Sequence, residues 1–171
     1  MNIFYLDRDP VKAAEVQYDK HVVKMILESA QMLCTAHHHY AELLGYDNSY
    51  IPYKKAHYNH PSTIWTRQNS RNYYWLFNHM IALGNEYTKR YGKKHLSITK
   101  CFEVLQNCPL GMLLGGSFTE PPQCMPDQYK VDGDSLTAYW NYYENEKHTI
   151  KNQNEQKIVR THYISELCES I

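Results

Sequence analysis

Apolar and polar positions repeat with the period of a helix along most of this chain. Val22, Val23, Ile26, Ala30 and Leu33 recur at three- and four-residue steps, which makes one buried stripe on a helix running from Pro10 to about Tyr40. Asp9-Pro10 marks its start, a capping carboxylate followed by proline in the first turn. Asp19 offers a second cap, so the pattern allows a break near Tyr18-Asp19. Ahead of this helix, Ile3–Leu6 is a short apolar run suited to one strand or an extended entry segment.

A second stripe of Tyr73, Leu76, Phe77, Met80, Leu83, Tyr87 and Tyr91 defines another long helix, starting near Ser62 or Asn69 and stopped by Gly92. A shorter helix is predicted from Ser97 to about Gln106. Another, capped by Asp134, carries Tyr139, Trp140, Tyr142 and Tyr143. Residues 45–61 and 108–134 are rich in Gly and Pro and read as loops. Residues 144–157 are strongly polar, and a weak amphipathic helix ends the sequence. With no repeat and no internal boundary, the expectation is a mainly α, single-domain helical bundle over residues 1–171 with long loops and at most one short N-terminal strand.

Composition adds two facts. The 18 Lys and Arg balance 18 Asp and Glu, whereas proteins that hold duplex DNA through its phosphates are usually basic. There are also 16 Tyr and 10 His, rings that suit a flat, polar, partly anionic ligand as readily as they fill the rim of a core. The five Cys are odd in number and form no CxxC, which argues against a disulfide framework or a zinc site. No signal peptide or membrane span is visible, and a cytoplasmic location is expected.

Two segments carry candidate chemistry. Lys20, Lys24, Glu28 and Gln31 follow at steps of four, four and three, so they share one face of the first long helix, with His21 beside Lys20. Such a face is either a solvated strip of ion pairs or a carboxylate held near two amines. The second segment, Lys54 to Arg67, holds His57, Asn59, His60, Ser62, Trp65 and Arg67. Arg67 and the lysines can pair with phosphate, Trp65 can stack a base, and Asn59 can read a base edge. Ser62 lies just after Pro61, at an expected helix N-terminus. His57 and His60 lack nearby Cys or carboxylate partners, so no metal site and no cofactor are expected. On the second long helix, Asn72, His79, Glu86 and Arg90 share a face, and Glu86 with Arg90 is spaced for an ordinary ion pair.

Three blocks in this order resemble the pyrimidine-dimer DNA glycosylase family, and uncharacterised proteins of bacteriophages share the pattern. They are Asp19 to Lys24 with Glu28 and Gln31; Asn59-His60-Pro61 with Trp65, Tyr74-Trp75-Leu76 and Glu86-Tyr87 with Arg90; and Tyr139 to Tyr143 with Lys147. The resemblance spans about two-thirds of the chain. It implies a compact helical fold that grips a kinked duplex and flips a base. It also implies an α-amine nucleophile at the sugar C1′, here Met1; the polar strip itself offers Lys20 or Lys24 as another amine. Glu28 would steady the sugar cation, and His21 matches a His of the same helix. Trp140, Tyr142 and Tyr143 match a run that touches DNA. Where the family carries two arginines around its Glu, this chain has Leu27 and Gln31. The expected function is thus a DNA N-glycosylase with possible lyase activity. The alternative is a non-catalytic anti-defence protein that sequesters a nucleotide immune signal in the same pocket. DNA or a nucleotide is the partner in either case, with no membrane involved.

Overall fold

The computed structural model describes residues 1–147. It contains six α-helices: α1 (Pro10–Glu15), α2 (Asp19–Leu44), α3 (Pro61–Thr66), α4 (Ser70–Tyr91), α5 (Leu96–Leu105) and α6 (Ser135–Asn145). A single 3-10 turn, Asp127–Tyr129, interrupts the last long loop. The expected C-terminal amphipathic helix lies outside the described residues.

Local chemistry sets these boundaries. The Asp9 carboxylate accepts from the Val11 and Lys12 amides and Pro10 opens α1. Asn69 caps α4 by accepting from the Asn72 amide, and Asp134 caps α6 through Thr137. Both long helices end at a glycine in the left-handed conformation, Gly45 and Gly92. The break at Tyr18-Asp19 is present, and α2 runs four residues beyond Tyr40. The start expected near Ser62 or Asn69 is two starts, α3 at Pro61 behind a His60 cap and α4 at Ser70 behind an Asn69 cap, because the chain turns between them.

The core lies between α2 and α4, with α1, α3 and α5 packed on its flanks. Val22, Ile26, Ala30 and Leu33 meet Tyr73, Leu76, Met80 and Leu83, all fully buried. Val23, expected in the stripe, is instead partly exposed. Among the described residues there is no strand. Ile3–Leu6 is buried as a single thread, and side chains meet the amides of Ile3 and Phe4 and the carbonyls of Ile3, Phe4 and Leu6. The Asn2 carboxamide accepts from the Ile3 and Phe4 amides, and Trp140 Nε1 donates to the Leu6 carbonyl at 2.9 Å. Phe4 has φ 55°, unusual for a residue with a side chain, and the kink sends Phe4 and Tyr5 to opposite sides of the thread. No helix among the described residues is long and apolar enough to cross a membrane.

Candidate functional site

Glu28 is the centre of the site because burial and amines converge on it. It sits on the inner edge of the polar strip of α2 and is 8% exposed, while Lys20 and Lys24 stand in solvent and Gln31 is half-buried. One carboxylate oxygen accepts from the Asn2 amide at 2.8 Å and lies 3.8 Å from the Met1 α-amine. The other lies 3.4 Å from Lys24 Nζ. The Met1 side chain packs against the core, so the amine is held in place rather than left on a waving end.

Segment 57–62 approaches the same point. Burial lowers the His60 pKa first, followed by the Met1 ammonium and His57, while Glu28 pulls it back up. Those influences place His60 within electrostatic reach of both members of the amine–carboxylate pair. His60 Nδ1 accepts from the Ser62 amide at 3.2 Å, which leaves the proton of the neutral ring on Nε2. Ser62 Oγ is 3.3 Å from Cys124 Sγ, and the Cys124 carbonyl accepts from the Asn2 side chain at 2.9 Å. Met1, Lys24, Glu28, His60 and Ser62 therefore belong to one neighbourhood. His57 and Asn59 are exposed at its edge.

Other candidates lie elsewhere. Trp65 is 3% exposed, its indole N–H donates to the Thr119 carbonyl at 2.9 Å, and Trp75 and Phe118 pack edge-on against it. It is a core residue and has no free face for a base. Arg67 caps α3 at its far end, where it donates to the Tyr58 carbonyl at 2.7 Å and lies 4.1 Å over the Tyr58 ring. Tyr58 in turn bonds His39, which is about 16 Å along α2 from Glu28. Trp140 and Tyr143, expected on the surface, are 3% and 1% exposed. Both pack on the N-terminal thread, Tyr143 edge-on to Phe4 at 5.4 Å and Trp140 through its hydrogen bond to the Leu6 carbonyl.

His21 is buried too. It stacks on Phe4 with ring centroids 4.2 Å apart, and its Nδ1 is 2.9 Å from the Tyr143 hydroxyl. That hydroxyl accepts from the Tyr18 amide, so its own proton goes to His21 Nδ1. Burial, with Lys147 and Lys24 nearby, lowers the His21 pKa to about 4, and the ring is neutral at pH 7. His21 is thus a packed wall of the site and not a proton carrier at neutral pH. Tyr142 differs from its neighbours: it is half-buried, 5.5 Å from Tyr129, with Lys147 Nζ 4.7 Å over its ring.

Asn2, Phe4, Cys124 and Tyr129 complete the surroundings, and sequence reasoning did not single them out. No spacing rule links residue 2 to residues 28 and 124; only the odd Asn at the head of an apolar run hinted at a special role. Asn72, His79, Glu86 and Arg90 are structural. Arg90 binds Glu86 and Asp19 at 3.0 Å and two backbone carbonyls of the α1–α2 turn.

The arrangement can bring a primary amine and a carboxylate together on an electrophilic carbon. Among the described residues no group of three or more His, Cys, Asp or Glu is placed to hold a metal ion. The described cysteines, Cys34, Cys101, Cys108 and Cys124, are all free thiols. Comparison of the chain with protein-family models, with curated proteins and with solved structures finds no match.

Proposed function

We propose that this protein is an amine-dependent DNA N-glycosylase with lyase capacity. The observation that carries the reading is the Met1 α-amine held 3.8 Å from the buried Glu28 carboxylate, with Lys24 on its other oxygen. In the proposed step the free-base amine attacks the sugar C1′ as the C1′–N bond breaks. The departing base keeps that bonding pair and takes up a proton. Glu28 opposes the cation that develops on the sugar, an interaction strongest in the transition state. Ring opening then gives an iminium at C1′, and loss of a C2′ proton expels the 3′ phosphate. Tyr142, with Tyr129 beside it, offers the stacking face that the buried Trp65 lacks, and His57 and Asn59 flank the entrance.

The test is borohydride trapping on modified or irradiated duplex DNA. A covalent adduct should form, and mass mapping should place it on Met1. Glu28→Gln should lower base release by about a hundredfold or more while leaving DNA affinity nearly intact. A chain extended ahead of Met1 should lose the adduct. Adduct formation through Lys24 alone would sink the α-amine reading.

The net charge of zero supports a second reading, in which the same neighbourhood captures a free nucleotide without chemistry. The salt dependence of DNA affinity separates the two, since a duplex enzyme shows a steep negative slope.

A further inference from the structure

The N-terminal thread has two working sides. Phe4 faces α2 and α6, the side of Glu28, whereas the Tyr5 ring lies 5.3 Å from Trp75 and 6.3 Å from Phe118. On that second side there is a cleft of about 720 Å³. Small-molecule sites typically measure roughly 300–1,000 Å³.

One wall is a stripe of α4. Arg71, Tyr74 and Asn78 recur at three- and four-residue steps, so a guanidinium, a ring and a carboxamide share one face. About 10 Å of helix axis separates the first from the last, enough to span a phosphate and a base. Arg8 stands across from them, and its carbonyl accepts from Trp75 Nε1 at 2.8 Å, which pins its backbone to the cleft. Phe118, partly exposed, and Glu120 come from the loop between α5 and α6.

These polar groups are not consumed by the fold. Arg71 uses only Nε, on the Gly115 carbonyl at 3.2 Å, and its two terminal nitrogens have no hydrogen-bond partner among the described residues. The same holds for the whole guanidinium of Arg8. Glu120 gives one oxygen to the Ser135 amide at 2.9 Å and keeps the other. Burial and then Glu120 push the Tyr5 hydroxyl up to about 12, while Arg8 pulls it down, so both charges act on the floor of the cleft.

Two guanidinium forks match a phosphate. Ring faces match a flat heterocycle, and a spare carboxylate oxygen can accept from sugar hydroxyls. We infer that this cleft is a second ligand site, built for a nucleoside phosphate: the phosphate between Arg8 and Arg71, the base against Tyr74 and Phe118, the sugar at Glu120. The site works by binding alone and does not depend on the Glu28 chemistry. The ligand can be a free nucleotide or the terminal nucleotide of a strand.

Calorimetry at low salt tests it with the four ribonucleoside monophosphates, their nucleosides, and a 5′-phosphorylated single-stranded oligonucleotide. At least one monophosphate should bind, its nucleoside about tenfold or more weakly. Arg8→Ala and Arg71→Ala, both at exposed positions, should each weaken binding by about tenfold, while Glu28→Gln should leave it unchanged. Thermal unfolding confirms that the variants fold. Binding of the oligonucleotide alone, with the same arginine dependence, assigns the ligand to a strand end. Absence of binding for every probe at millimolar concentration overturns the proposal, as does binding indifferent to both arginines or lost in Glu28→Gln. Base release by the same variants reports separately on the Glu28 site.

Discussion

Acid should unfold this protein through three buried neutral histidines. His21, His37 and His79 are 7%, 3% and 0% exposed, and burial is the first cause that lowers each pKa from 6.5 to about 4. Their hydrogen bonds fit the neutral ring, and the backbone carbonyls near His79 and His37 only partly offset the burial that lowers those pKa values. His79 Nδ1 donates to the Pro10 carbonyl at 2.9 Å, and its Nε2 accepts from the Gln17 side chain at 3.0 Å. His37 Nε2 donates to the Tyr73 hydroxyl, which itself donates to the Leu105 carbonyl, and His37 Nδ1 is buried with no partner. His21 Nδ1 is occupied by the Tyr143 proton.

Each folded pKa lies below its unfolded value, so the unfolded chain holds more protons between about pH 4 and pH 6.5. Stability is therefore complete above about pH 6.5 and is lost as the pH falls toward 4. A drop of about 2.5 units at about 1.36 kcal/mol per unit is about 3 kcal/mol for each ring. Within the window the three together give a slope near about 4 kcal/mol per pH unit. The three together remove about 6 kcal/mol by pH 5 and up to about 10 kcal/mol below pH 4, against a domain stability of about 5–15 kcal/mol, so a domain in the lower half of that range unfolds between about pH 5 and pH 4. His39, His60 and His95 are shifted the same way but are partly exposed and add less. Asp7, whose carboxyl burial pushes up, opposes the trend as a single group. Urea unfolding followed by Trp fluorescence between about pH 8 and pH 4.5 measures the slope, which should correspond to the uptake of about three protons near pH 5.5. An uptake below about one proton would refute the reasoning.

Three further outcomes follow from the packing. Trp65→Ala should cost about 3–5 kcal/mol of stability, read from denaturant midpoints, because it opens a core cavity and strands the Thr119 contacts. Tyr142→Ala should spare stability yet weaken DNA binding by about fivefold or more, whereas Trp140→Ala should unfold the chain; equal behaviour of the two in binding and melting would remove Tyr142 from the site. Arg90→Ala should cost about 3–5 kcal/mol, since it breaks buried pairs with Asp19 and Glu86, and high salt should not mimic the loss.

Much of the helical plan was legible from local chemistry. Caps at Asp9, Asn69 and Asp134 and the stop signal at Gly92 are decided within a few residues, as is the shared face of Lys20, Lys24, Glu28 and Gln31, whereas α2 runs on from the expected end at Tyr40 to the Gly45 cap. Periodicity could also say that Tyr73 and Leu83 face inward. It could not say that Ile3–Leu6 would be buried without a partner strand, because the carbonyls of Ile3 and Leu6 are met by Gln17 and Trp140 from distant positions, with Asn2 serving the adjacent amides.

The split among the aromatic candidates was decided only by tertiary contacts. Trp65, Trp140 and Tyr143 look as exposed in sequence as Tyr142 does. They are buried because the Phe118–Thr119 loop covers the first and the other two pack on Phe4 and Leu6 of the N-terminal thread. Helical spacing placed Glu28 on a polar face, but its burial comes from Asn2 and the Met1 amine arriving from outside the helix. The polar strip thereby becomes a carboxylate–amine pair, since a charge gains functional weight where neighbours that no local pattern encodes exclude water around it.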